Sequence, residues 1–270
     1  MTEHDPGVRS LVLRLAGPLQ SWGGQSQFNR RDTLGEPTKS GITGLLAAAQ
    51  GRRRQDPIED LLALRLGVRT DQPGSLLRDY HTVSDYRGRP LPSATLSGKG
   101  TQRPTSPAKY THVTQRFYLQ DAVFVVTVSG PADVLTVLRE AIRRPAFPLA
   151  LGRRACVPTQ PLLLDPVAEE PGDLPGLLDG GPLEVLARVP WQAPEIRPQG
   201  RYRRTLPPVV DLPVTVDDPS GDDVRPDLPR SFDPRSKAFA TRRVRQSWVR
   251  VATPFSGATA EHDPFALLGW

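Results

Sequence analysis

The stretch AVFVVTVSGPADVLTVLREAIR, residues Ala122–Arg143, places a strand directly before a helix. Val123, Val125 and Thr127 alternate against Phe124, Val126 and Val128, so residues Ala122–Ser129 read as a β-strand. After the Gly130-Pro131 break the spacing changes. Val134, Leu135, Leu138 and Ile142 fall on one side of a helix over Pro131–Arg143. Working outward, Lys109–Leu119 reads as a strand joined to the first at Gln120-Asp121. On the other side, Leu149–Val157 reads as a strand carrying Gly152-Arg153-Arg154.

Nearer the start, Val8–Ala16 is a buried strand with Leu11, Leu13 and Leu15 on one face and Val12 on the other. Pro37-Thr38-Lys39-Ser40 is a helix entry, and Ile42, Leu45, Leu46 and Ala49 form one buried face. Gly41 and Gly44 cost helix stability, which points to close approach of another backbone. Pro57–Leu66 reads as a second short helix with Asp56 at its N-cap. Leu66–Thr70 reads as a short strand, and Tyr80–Ala108 as a long excursion with little periodicity. The order strand, helix, strand, strand, helix, strand is the α+β, ferredoxin-like plan, similar to RRM modules. Many RNA-binding domains use that sheet as a platform, although fold alone does not establish function. Residues 1–164 are expected to form this body. Residues 165–270 form a Pro/Asp-rich extension with short strands at Leu183–Pro190 and Val209–Val216, packing on the body. Asp211–Asp233, with seven Asp, reads as a loop that offers little apolar surface. Ala238–Ala252 is a final basic strand.

The charge is distributed unevenly. Residues 1–160 hold 22 Lys and Arg against 13 Asp and Glu, and residues 161–270 hold 13 against 16. Such an excess fits a polyanion partner, and equally a solvated arginine-rich surface. Mean hydropathy is −0.39, and no window approaches the roughly 18 apolar residues of a membrane span. The polar, acidic N-terminus does not read as a signal peptide, so a cytoplasmic location is expected. Cys156 is the single cysteine, which excludes an internal disulfide and a cysteine-rich zinc site.

Residues 86–120 contain six cations, Arg87, Arg89, Lys99, Arg103, Lys109 and Arg116, and no Asp or Glu. Tyr110, Phe117, Tyr118, Thr111 and Gln115 sit among them. Cations meet phosphates, aromatic rings stack on splayed bases, and small polar groups reach base edges or 2′-hydroxyls. Phe117 alone reads more readily as core. The loop Gln20–Arg31, with Trp22, Arg30 and Arg31, leads to Lys39 and Ser40 at a helix N-terminus, where free N–H groups favour an anion. Trp22 fits packing more readily than stacking. Thr33 and Thr38 stand where a P-loop requires glycine, so nucleotide hydrolysis is not expected. Arg153 and Arg154 present guanidiniums suited to phosphate oxygens, or simply an edge-strand pair of charges. Cys156 reads as a small core residue. His81, His112, Tyr80, Tyr110 and Lys109 are the groups available for metal-free RNA cleavage, and the scattered histidines show no metal-ligand spacing. No cofactor is expected.

Four blocks resemble a known family. They are Leu13–Gly23 (LRLAGPLQSWG), Pro37–Gly51 (PTKSGITGLLAAAQG), Thr114–Ala122 (TQRFYLQDA) and Pro148–Cys156 (PLALGRRAC). Their order and spacing resemble the CasD family of type I-E CRISPR Cascade, within the RAMP superfamily; beyond about Pro166 the resemblance fades. It implies a ferredoxin-like body with a protruding thumb, placed by its order at Arg87–Lys109 and extending to about residue 116. It also implies a non-catalytic subunit that binds the 5′ handle of the crRNA. The partners implied are a backbone subunit and the large subunit, with target DNA reached through the complex. Relatives of the I-C subtype cleave guide precursors without metal, which keeps an endoribonuclease as the alternative. The residues expected to meet RNA are Gln20, Trp22, Arg30, Arg31, Lys39, Ser40, Lys99, Arg103, Lys109, Thr111, Gln115, Arg116, Arg153 and Arg154.

Overall fold

The computed structural model of the protein describes residues 8–24, 29–85, 98–99, 110–164, 176–192 and 207–253. In chain order the elements begin with β1 (Arg9–Ala16), β2 (Leu19–Gln20), β3 (Arg30–Arg31), α1 (Lys39–Ala49), α2 (Glu59–Leu62), β4 (Arg65–Gln72) and β5 (Ser75–Asp85). They continue with β6 (Tyr110–Gln120), β7 (Val123–Gly130), α3 (Ala132–Arg143), β8 (Leu177–Asp179), α4 (Pro182–Arg188), β9 (Val209–Asp217), β10 (Asp223–Ser231) and β11 (Ala238–Ala252).

The larger sheet has seven strands in the order β10-β11-β9-β4-β7-β1-β8, with every neighbouring pair antiparallel. Within it, β1-α1-β4 and β7-α3-β8 are two βαβ units, each with a strand of the other inserted between its own. That arrangement is consistent with a ferredoxin-like body. Strand alternation divides the interior. Leu11, Leu13, Leu15, Phe124, Val126 and Val128 face the core under α1 and α3, while Val12 and Val125 join Val185 and Leu186 of α4 on the other side. Each such fully buried side chain contributes roughly 1.5–3 kcal/mol.

The structure corrects several expectations. Residues 149–157 form no strand, because Gly152 sits at φ +89 and a Cβ there would lie 1.8 Å from the Ser21 carbonyl oxygen. The free edge of β1 is covered instead by β8 and by a bridge from Leu163 to Leu13. Leu183–Pro190 is not a strand, since most of it folds into α4, with Pro182 in its first turn. The helix expected over 57–66 shortens to α2, and Asp56 does not cap it; its carboxylate accepts from the Arg53 N–H at 2.6 Å. Gly41 does permit close approach, but of a ring: a Cβ there would lie 2.8 Å from Trp22. At Gly44 a Cβ would make only ordinary contact with Phe232.

The Asp-rich run is ordered as the end of β9, a turn and β10. Leu212, Val214 and Val216 bury an apolar face with α4 and β11, and ion pairing adds to it. Asp217 accepts from Lys39 Nζ at 2.7 Å, from the Leu66 N–H at 2.8 Å and from Arg242. Asp227 accepts from Arg242 at 2.7 and 2.9 Å and from the Lys39 N–H at 2.8 Å. Burial acts to lower the Arg242 pKa, but the Asp227 hydrogen bond and the Asp217 charge outweigh it and hold it above its ordinary value. Two cations and two carboxylates thus join β9–β11 to the start of α1.

Candidate nucleic-acid interface

Chain leaving β4 and chain entering β7 both pass through a second, smaller sheet. There β5 pairs along one edge of β6, from Ser75 opposite Gln120 to Asp85 opposite Tyr110. The other edge takes β2 at Gln120 and Leu119, then β3, whose Arg30 and Arg31 lie beside Gln115 and Arg116. Tyr80–Asp85, expected as the start of an irregular excursion, is therefore strand. β5 was hidden because Leu76, Leu77, Tyr80 and Val83 are all exposed, so no buried face imprinted a period of two. The remainder of that excursion, including Arg87, Arg89, Arg103 and Lys109, lies outside the described residues, and Lys99 is exposed.

Register assigns the faces. Arg30, Arg78, Tyr80, Gln115 and Phe117 share one, while Arg31, Asp79, His81, Thr114, Arg116 and Tyr118 share the other. Among the described side chains of this sheet and the adjoining Arg153-Arg154 turn there are six guanidiniums against two carboxylates, Asp32 and Asp79. Arg30 spends part of its charge on Asp32 at 2.8 Å and lies 4.9 Å over the Phe117 ring. Arg116 donates to Thr114 at 3.3 Å and stands opposite Asp79. Arg31, Arg78 and Arg154 have no carboxylate at ion-pair distance among the described residues.

Arg153 acts as a clamp. Its guanidinium donates to the carbonyls of Phe117 at 2.9 Å and Arg31 at 2.6 Å, and covers the Tyr118 ring at 4.8 Å. It ties β3 to β6 while adding positive charge. With Phe117 and Tyr118 each covered by an arginine, Tyr80 at 66% exposure is the open ring among the described side chains of the sheet. Arg78 and the stacking capacity of Tyr80 escaped the sequence reading, and a period-two scan blind to hydropathy would have grouped them.

Several expected site residues serve the interior instead. Gln20 is fully buried and donates to the Leu15 and Ala122 carbonyls at 3.0 and 2.7 Å, while its oxygen accepts from the indole N–H of buried Trp22. Lys39 spends its ammonium on Asp217 and the Leu64 carbonyl, and Asp227 already occupies the anion position at its N–H. Ser40 is half-buried, 3.2 Å from the Thr38 hydroxyl. Thr111 lies on β6 opposite Ser84, its side chain outside the described residues. Burial pushes the Cys156 thiol up against the weaker pull of Arg153. His81 stands 3.7 Å from Asp79. No group of three or more metal-ligating side chains occurs among the described residues, and none of their helices is long and apolar enough to cross a membrane.

Comparison with known proteins agrees with the resemblance in the sequence. A family described as CRISPR-associated protein (Cas_Cas5) matches residues 10–245. The CRISPR system Cascade subunit CasD of Escherichia coli (strain K12) is 36% identical over 173 residues, spanning 57% of this chain and 69% of that protein. A chain of a solved CRISPR RNA-guided surveillance complex is 34% identical, with a TM-score of 0.69 over 96% of this chain and 98% of its own length. A structure described as a crystal structure of Cas protein is 34% identical, with a TM-score of 0.60 over 89% and 94%.

Proposed function

Because the chain belongs to the CasD/Cas5d family of CRISPR subunits in the RAMP superfamily, we propose that it is a non-catalytic subunit of a type I-E Cascade complex that holds the 5′ handle of the crRNA. The observation that carries this reading is the charge balance among the described side chains of the small sheet and the adjoining Asp32, Arg153 and Arg154, six guanidiniums against Asp32 and Asp79, at the root of the 86–109 excursion. Phosphates of a single strand gain from that surplus, and an unstacked base gains an aromatic partner in Tyr80. Arg30, Arg31, Arg78, Gln115, Arg116 and Arg154 contact the RNA, while Arg153 contributes charge and holds β3 in place. Lys99, Arg103, Lys109 and Thr111 extend the same surface along the excursion, which serves as the thumb. The subunit works in the cytoplasm beside a backbone subunit and the large subunit, and meets target DNA through the assembly.

Binding without cleavage is tested by incubating the purified protein with end-labelled repeat RNA, with and without chelator. The expected result is a retarded, intact RNA. Cleavage abolished by Lys109→Ala or His112→Ala would identify a metal-independent endoribonuclease instead. In the intact complex, Arg31→Gln/Arg78→Gln/Arg154→Gln is expected to lower guide retention at least about tenfold, since each hydrogen bond to a charged group is worth roughly 1.5–3 kcal/mol.

A further inference from the structure

The large sheet outgrows its helical cover. On one face α4 packs over β4, β7, β9 and β11, where Val249 and Val251 are buried. On the opposite face α1 and α3 cover the β1 and β7 region, while α1 packs against β10 and touches β9 through the Lys39–Asp217 pair at the end of that strand. Trp248 lies between Val249 and Ser247 on β11, opposite Pro213, and strand alternation turns it to that uncovered side. A cleft of about 1210 Å³ results, floored by β9, β10 and β11 and walled by residues 23–24 and 34–38. Four large apolar side chains stand exposed around it: Trp248 at 68%, Val224 at 52%, Phe239 at 46% and Leu34 at 42%.

We infer that this cleft receives an uncharged, apolar loop from a neighbouring protein subunit of the same assembly, which rests on the chain being such a subunit. Charge selects protein over nucleic acid. The charged residues lining the cleft are Glu36, Arg225, Asp227 and Lys237, two of each sign. Glu36 is 3.3 Å from Arg225 and accepts from the Thr215 hydroxyl at 2.9 Å, Asp227 is bound by Arg242, and Lys237 lies 5.1 Å over the Phe239 ring. A ribose-phosphate chain brings a negative charge with each nucleotide and finds no cationic surplus here, unlike the small sheet. An apolar loop gains from covering the rings, and tryptophan in a desolvated pocket is a frequent anchor of protein interfaces. The cleft and the small sheet thus divide the work, one for protein and one for RNA.

The test is a photocrosslinker, benzoylphenylalanine, placed at position 248 in the assembly purified from its native host through a tag on this chain. Mass spectrometry is expected to find the crosslink on an apolar segment of one neighbouring Cas subunit. Trp248→Ala is expected to raise the dissociation rate of that same subunit by roughly tenfold or more, with RNA affinity of the isolated chain unchanged. Crosslinks to RNA, to a second copy of the chain or to residues 254–270 of the chain itself would overturn the inference, as would unchanged retention of every subunit. Normal assembly with no protein crosslink removes the cleft alone. Failure of the chain to copurify with any Cas subunit removes the proposed function as well.

Discussion

Replacing Asp217 by Asn tests how the acidic C-terminal strands are held. Lys39, Asp217, Arg242 and Asp227 have side chains only 9–11% exposed, and their charges cancel. The substitution keeps the volume but leaves two buried cations against one carboxylate, with the Lys39 ammonium losing its carboxylate partner while Arg242 keeps Asp227. Breaking a buried pair from one side costs about 3–5 kcal/mol, because the remaining charge is desolvated without compensation. At roughly 2 °C per kcal/mol for a chain of this length, thermal unfolding followed by circular dichroism should shift down by about 6–10 °C. The double variant Asp217→Asn/Lys39→Met restores balance with Arg242 and Asp227, so it should be markedly less destabilised than the sum of the two single variants. Asp211→Asn, which removes an exposed partner of Arg250, should leave the midpoint in place. Additive losses in the double variant, or an Asp217→Asn protein as stable as the parent, would refute charge balance as a contributor to the order of β9–β11.

Gly41→Ala would put a Cβ 2.8 Å from the Trp22 ring, so a substitution that normally strengthens a helix should instead cost about 1–3 kcal/mol, read from the urea midpoint. Cys156 is buried with its thiol pushed up, so native protein should resist a disulfide reagent at pH 8 and label only as fast as it unfolds; immediate labelling would contradict the packing. The Arg52 hydrogen bond holds the Asp60 carboxyl below its ordinary value. The stability it supplies is present above the unfolded carboxylate pKa near 4 and lost as pH falls through the lower folded value. Urea midpoints of the parent and Asp60→Asn should therefore differ at pH 7 and converge at acid pH, and a constant difference would exclude the pair.

The two faces of β1, the apolar stripe of α1 and the helix α3 were legible because burial on a defined side writes its period into the residues. What escaped was structure held by other means. The described side chains of β5, apolar and polar, all meet solvent, so hydropathy had nothing to alternate. β9 was legible as a strand at Val209–Val216, but β10, read as loop, is held in part by Arg242 and by the N–H of Lys39 on its Asp227, partners that hydropathy does not reveal. Gly152-Arg153-Arg154 looked like strand because Leu149, Leu151 and Val157 are apolar; only the positive φ at Gly152 turns the segment onto Ser21. At the candidate interface, basic content grouped Arg30, Arg31, Gln115 and Arg116, which the structure brings together as neighbours. It could not separate Lys39, a cation consumed inside the fold, from Arg78, a cation presented to solvent. Partner distance in space, not residue type, decides that difference.

The salt dependence of binding to a single-stranded RNA of the 5′-handle sequence addresses the small sheet most directly. Arg31→Gln/Arg78→Gln/Arg154→Gln is expected to flatten the slope of log affinity against log salt by about 2, near 0.7 for each lost phosphate contact. Parallel lines for parent and variant would show that the RNA rests elsewhere.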